Sequence, residues 1–213
     1  MSPISFWNKF KKLLKNPPLI ILQALLCRIP FRPVEIDLFY LLHFKNMPER
    51  SFLKARGPAK VRRGTLQDME GLIRCQDKRD TFMKRFTIGD YCFIAIINEQ
   101  IVGYEWFCAA DHHIEDRYYR IAIPPDAIYT YDAYILPEYR NTGIWLKFHE
   151  QLIELMNELG KKIVITMIDY GNEPSMKSHI RYGYHPVRRV LSLNILGLRL
   201  FREKEINLKK NES

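Results

Sequence analysis

Residues 128 to 168 hold the pattern that most restricts the fold: a strand, a glycine-containing loop, a long helix and a second strand in immediate succession. Ile128 to Ile135 is Tyr-rich and alternating, as a half-buried strand is. Leu146, Phe148, Leu152, Ile153, Leu155, Met156 and Leu159 recur at helical spacing from Ile144 onward, and Gly160 ends the run. Ile163 to Ile168 has the continuous Val/Ile character of a strand covered on both faces and paired in parallel. A helix joining two such strands is a βαβ unit, so the chain is mixed α/β.

The flanking sequence supplies the remaining elements. Ala59 to Arg63 reads as a short strand, and Thr65 with Asp68 as a variant capping box before a helix through Leu66, Met69, Leu72 and Ile73. Phe82 to Phe86 suits a second short helix. Tyr91 to Ile97 and Ile101 to Ala109 form a hairpin around Asn98-Glu99-Gln100. Asp111 to Arg120 reads as a polar loop containing His112 and His113. Beyond Asp169 to Glu173, Pro174 opens a helix that Gly183 ends, and Val187 to Arg202 reads as a last hairpin. No internal repeat or low-complexity segment interrupts this order.

The junction at residues 135–145 is where ligand chemistry is expected. A helix N-terminus after a Gly-containing loop offers free backbone N–H groups and the positive end of the helix dipole, which suits a pyrophosphate. Arg140 adds charge, and Gly143 permits a tight turn and close ligand approach. An ordinary βα loop with a turn glycine has the same shape.

Two motifs go further. Ile135-Leu136-Pro137-Glu138-Tyr139-Arg140-Asn141-Thr142-Gly143-Ile144 resembles the acyl-CoA signature of GNAT acetyltransferases, a hydrophobic residue and Pro followed by Arg/Gln-x-x-Gly-x-Gly/Ala. Asn172 to Tyr184 resembles the second GNAT signature, in which Asn is followed by Ala, Tyr and then Gly-Phe; Val61 to Met69 is similar to the opening strand and helix. The resemblance covers about Ala59 to Arg202. It implies a mixed central sheet with splayed strands and a βαβ acyl-CoA-binding unit. It also implies that Ile135, Pro137, Arg140, Asn141, Thr142, Gly143, Ile144 and Trp145 hold the carrier, and that Asn172 contacts its arm. The co-substrate implied is acetyl-CoA or another acyl thioester, with no metal. Trp145 stands where the family has a small residue. His179 stands where the family has the Tyr that protonates the departing thiolate, a role open to imidazole.

An amine attacks only when neutral, so a proton acceptor is needed. Asp132, on the strand before the carrier loop, and Glu105, on the neighbouring strand, are the candidates. His112 and His113 lie where a substrate lid could be, and Tyr129, Tyr131 and Tyr134 could line the acceptor site. The expected activity is N-acyl transfer to a primary amine on a small molecule or a lipid-linked acceptor; the alternative is a non-catalytic GNAT-like binding module.

Charge adds partners. The 213 residues carry a formal net charge of +9, with 47% hydrophobic and 27% charged residues, a balance that folds. Met1 to Val34 and Pro174 to Arg202 contain no acidic residue. Phe6, Trp7, Phe10, Leu13 and Leu14 follow helical spacing among Lys9, Lys11, Lys12 and Lys15, and the apolar run Leu19 to Ile29 follows Pro17-Pro18. Neither approaches the roughly 20 apolar residues that span a bilayer. Residues 1–45 therefore read as a docking segment for an anionic membrane surface, or as a helical layer on the domain or on a second subunit. A basic surface also suits an acidic acyl carrier protein. Nucleic acid is disfavoured, since no reading motif is present. Cysteine spacing fits no metal motif, Cys92 and Cys108 read as core residues, and a reducing compartment is expected. The expected location is cytoplasmic, peripheral on the inner face of the cell membrane. The expected boundaries are 1–58 for the extension, 59–203 for the catalytic domain and 204–213 for a charged tail.

Overall fold

The structure is a computed structural model describing residues 18–26, 28–29, 33–45, 57–115 and 119–206. The Lys-rich segment from Phe6 to Lys15, Cys27, most of the connector and the end of the tail lie outside the described residues. In chain order, the first elements are α1 (Pro18–Leu26), β1 (Val34–Lys45), β2 (Lys60–Arg63), α2 (Met69–Cys75), α3 (Arg79–Thr87), β3 (Tyr91–Ile97) and β4 (Gln100–Cys108). Then come β5 (His112–Ile114), β6 (Arg120–Ala122), β7 (Ala127–Ile135), α4 (Ile144–Glu158), β8 (Ile163–Asp169), α5 (Glu173–Tyr182), β9 (His185–Ile195) and β10 (Leu198–Glu205). The chain divides into two compact units, His43–Thr166 and Met1–Leu42 with Met167–Ser213. No helix among the described residues is long and apolar enough to cross a membrane.

In the unit His43–Thr166, β2, β3, β4 and β7 form antiparallel neighbours, and the first residues of β8 run parallel to β7, Ala127 opposite Ile163 through Thr130 opposite Thr166. The expected βαβ unit is present. The capping box forms, with the Thr65 amide donating to Asp68 Oδ2 at 2.8 Å, and Arg62 grips the same carboxylate at 2.7 Å. Asn98 and Glu99 take φ of 48° and 62°, the mirror-image turn that matches strand twist. Phe82 from α3 lies against Tyr104 and Trp106, ring centroids 5.1 and 5.8 Å away, and all three side chains are fully buried. Each such aromatic contributes about 2–3 kcal/mol through area removed from water. Helix α4 turns Ile144, Phe148, Leu152, Leu155 and Met156 inward and packs on β3 and β2. The stretch expected to be a polar loop contains a small second sheet, His112 to Ile114 against Arg120 to Ala122. Its reason is packing: Ile121 is buried and the His113 ring lies 4.1 Å from that of Tyr131.

In the other unit, β10, β9 and β1 are neighbours in that order. The sequence marks Ile36 to Phe44 only as apolar and aromatic; it is a strand, disguised because Leu38 to Leu42 breaks strict alternation. The Asn194 amide donates to Glu35 at 2.8 Å, and the Tyr170 amide to the Leu38 carbonyl at 2.8 Å. Gln23 of α1 donates to the Ile36 carbonyl at 2.7 Å. Helix α5 begins as expected, Asn172 Oδ1 accepting from the Ser175 amide at 3.3 Å, and ends at Gly183 with φ 111°.

Candidate active site

The ladder between β4 and β7 is broken at one point. Tyr104 pairs with Tyr134 and Trp106 with Tyr131, so Glu105 alone faces Asp132 and Ala133. This is a β-bulge, and Asp132 takes it up with φ 44°. Gly103 beside it is required by close approach: a Cβ there would stand 2.7 Å from the Tyr134 carbonyl oxygen.

Glu105 is buried, 2% exposed. Its Oε1 accepts from Thr130 Oγ1 at 2.5 Å, while Oε2 is buried without a hydrogen-bond partner. Burial pushes its carboxyl up to about 7, only partly offset by the Thr130 bond. A carboxylate titrating there, with one oxygen uncommitted, has the properties of a general base working near neutrality.

Asp132 is held differently. Lys78 Nζ bonds its Oδ1 at 3.1 Å and Arg85 bonds its Oδ2. Arg85 is itself largely buried and stacks over Tyr131 and Trp106, 4.8 and 5.3 Å from their ring centres. Side chains alternate along β4, so Glu105 and Trp106 face opposite sides of the sheet. The two expected carboxylates therefore lie on opposite faces. Thr130, Lys78 and Arg85 escaped the sequence reading because their partners are 25 to 54 residues away in the chain.

The loop after β7, the candidate anion cradle, is held in shape by its own hydrogen bonds. Leu136 donates its amide to Val102 at 2.9 Å, Pro137 opens a short 3-10 turn, and Arg140 Nε donates back to the Ile135 carbonyl at 3.1 Å. Thr142 closes the loop on the Tyr139 carbonyl at 2.6 Å. Asn141 and Gly143 have φ of 63° and 83°, left-handed positions of the kind that occur where successive N–H groups make an anion nest. Gly143 caps α4, whose first turn carries no acid, so its leading amides and dipole favour an anion. Lys147 sits in that turn, its ammonium bonded to the carbonyls of Gly57 and Ala59 at 2.8 and 2.6 Å. Ile144 is buried, and Trp145 lies against His149, ring centroids 3.9 Å apart. The cradle suits a polyphosphate carrier.

Asn172, which caps α5, and His179, within it, belong to the other unit. His179 is buried, and its Nδ1 lies 2.8 Å from the Ser175 carbonyl. A carbonyl accepts only, so Nδ1 carries the hydrogen and Nε2 holds the lone pair of the neutral ring. Burial lowers its pKa below the usual imidazole value, although the Ser175 bond opposes that.

The remaining candidates form a separate cluster. His113 sits against Tyr131 and Tyr129, Tyr131 donates to Asp90, and Tyr129 donates to Glu115. Ligand atoms of Asp90, Cys108 and His113 fall within 4.8 Å of one another. Burial pushes the Cys108 thiol up to about 12, so the sulfur is held as a hydrogen-bonding thiol. Tyr134, less buried, lies beneath Arg140.

Comparison with known proteins bears on this arrangement. Residues 65–184 match the family model described as the acetyltransferase (GNAT) family. No curated protein matches the chain in sequence. Among solved structures, a GNAT-family acetyltransferase from Novosphingobium aromaticivorans is similar over 82% of this chain and 69% of its own, with 11% identity and a TM-score of 0.55. A tandem GNAT protein from the clavulanic acid biosynthesis pathway matches 80% of this chain and 54% of its own, with 13% identity and a TM-score of 0.54. An aminoglycoside N-acetyltransferase, AAC(6')-Iy, in complex with CoA matches 59% of this chain and 91% of its own, with 13% identity and a TM-score of 0.50. At these identities the likeness is one of fold.

Proposed function

The chain belongs to the acetyltransferase (GNAT) family, and from that premise we propose that it transfers an acetyl or longer acyl group from a CoA or acyl carrier protein thioester to a primary amine. The observation that carries this reading is Glu105, a buried carboxylate with an uncommitted oxygen opposite the bulge in β7. In this reading the Ile135 amide and the amides and charge of the loop 140–145 bind the carrier's anionic groups, with Pro137 shaping the turn between them. The thioester supplies the acyl group. Glu105 takes the proton that the amine must lose. Asp132 fixes Lys78 and Arg85 rather than accepting that proton. Asn172 contacts the carrier arm. His179 would donate to the departing thiolate from its imidazolium form, which burial makes scarce.

The acceptor is a small-molecule or lipid-linked amine, the small-molecule class being that of the structurally similar aminoglycoside N-acetyltransferase. Residues 1–58 serve as the docking extension, 59–203 as the catalytic domain and 204–213 as a tail. Of the basic, apolar residues 1–45, those ahead of β1 would carry the docking on the cytoplasmic face of an anionic membrane, since Phe39, Leu42 and Phe44 of β1 are buried in the fold. A second reading, a non-catalytic binding module, draws on Trp145 in the cradle and on the neutral, Nδ1-bonded His179.

Thermal stability measured against acetyl-CoA, long-chain acyl-CoA, free CoA and acyl carrier protein thioesters tests the proposal. A thioester at a hundred times its Kd stabilises the native state by about 2.7 kcal/mol and raises the midpoint. Turnover of that donor with an amine panel then completes the case. A folded protein that responds to no thioester sinks it in favour of the binding module.

A further inference from the structure

We propose that the outer face of the β9–β10 hairpin docks on an anionic lipid surface, separately from residues 1–45. The strand register sorts the side chains. Leu198 pairs with Ile195, Leu200 with Leu193, Arg202 with Leu191 and Lys204 with Arg189, and directly opposed residues share a face. The alternate set includes Val190 and Ser192, both buried, so that face packs inward and the first faces out.

The outward face is graded. Its tip is apolar, with Leu198 65% and Leu200 52% exposed and Leu196 at the turn 83% exposed. Its base is cationic, with Arg189, Arg202 and Lys204 all exposed. The acids of β10 are absent from this face. Glu203 and Glu205 point to the other side, where Arg188 pairs with them at 2.9 and 2.8 Å. Apolar groups at a tip with cations behind them match the layering of a bilayer surface, acyl chains beneath anionic headgroups.

The turn itself is a second observation. Leu196 holds φ 50° and Gly197 φ 91°. Asn or Gly takes the first of these positions without strain, and Leu does not. A strained, fully projecting Leu conflicts with local preference, and such conflicts concentrate at functional positions. The Leu196 amide bonds the Pro33 carbonyl at 2.8 Å, which anchors the tip.

The test is cosedimentation of the full chain with phosphatidylcholine vesicles, with and without phosphatidylglycerol. Three variants accompany the wild type: Leu196→Asn with Leu198→Gln and Leu200→Gln; Arg189→Glu with Arg202→Glu and Lys204→Glu; and Lys9, Lys11, Lys12 and Lys15 each to Glu. The wild type is expected to bind only the anionic vesicles, and the charge-reversed hairpin to bind them roughly a hundredfold more weakly. The apolar hairpin variant is expected to lose binding at an unchanged melting temperature, because the replaced leucines are exposed. Hairpin variants that bind like the wild type while the Lys variant does not would assign the lipid contact to the N-terminal segment and overturn the proposal. Equal binding to neutral vesicles, or no binding, would also overturn it. So would a wild-type dimer in sedimentation velocity that the Leu variant abolishes, since the face would then meet a second copy.

Discussion

Thr130 and Asp132 stand two positions apart on β7, a spacing that in a regular strand puts both side chains on one face, yet they serve opposite faces. Thr130 donates to Glu105, and Asp132 bonds Arg85 and Lys78. The bulge and the positive φ at Asp132 turn its carboxylate towards the Arg85 side, away from that of Glu105. Separate consequences follow for the two acids.

Glu105→Gln removes the proposed base while keeping size and the Thr130 contact. The expected loss in kcat/KM is about 10²- to 10⁴-fold. In the wild type, kcat/KM should rise with pH up to about 7 and then level, because only the ionised carboxylate accepts a proton. In the variant that limb should vanish. A retained limb assigns it to another group.

Asp132→Ala should act on stability first. It leaves the largely buried Arg85 without its carboxylate, a loss of about 3 kcal/mol for a broken buried pair. Urea denaturation measures it. A variant as stable as the wild type would mean the ion pairs contribute little.

Gly143→Ala tests the cradle. At φ 83° an alanine costs about 1–2 kcal/mol. The strain falls on the loop that presents the amides, so the thioester Kd should rise more than kcat falls. Isothermal titration with CoA and steady-state kinetics separate the two.

His179 predicts a limb of acid sensitivity. Its folded pKa lies below its unfolded value, so its stabilising contribution is present above the unfolded pKa, about 6.5, and is lost as pH falls towards the folded value. His179→Asn should flatten the stability-against-pH curve in that window. Unfolding free energies measured at steps from pH 7.5 to pH 5 decide it.

The legible parts of the fold were those written in local period and punctuation. Helix α4, strand β8, the Thr65–Asp68 box and the glycine ends at Gly143 and Gly183 are all short-range signals, and each appears where its pattern lies. Glu105 and Asp132 could be put forward as carboxylates near a junction. Their division of labour could not, because it depends on a bulge set by cross-strand packing and on cations from α3 and the turn before it. The strand character of Val34–Lys45 was hidden for a similar reason, its neighbours lying more than a hundred residues away.

That separation has a consequence during synthesis. Glu35 and Asn194, which share a hydrogen bond, are 159 residues apart. At roughly 5–20 residues per second, the ribosome emits the partner of β1 about ten to thirty seconds after β1 itself. For that interval a twelve-residue strand rich in Leu, Phe and Tyr waits with its hydrogen-bonding edges open. Its safekeeping falls to chaperones, or to whatever surface the nascent chain first meets.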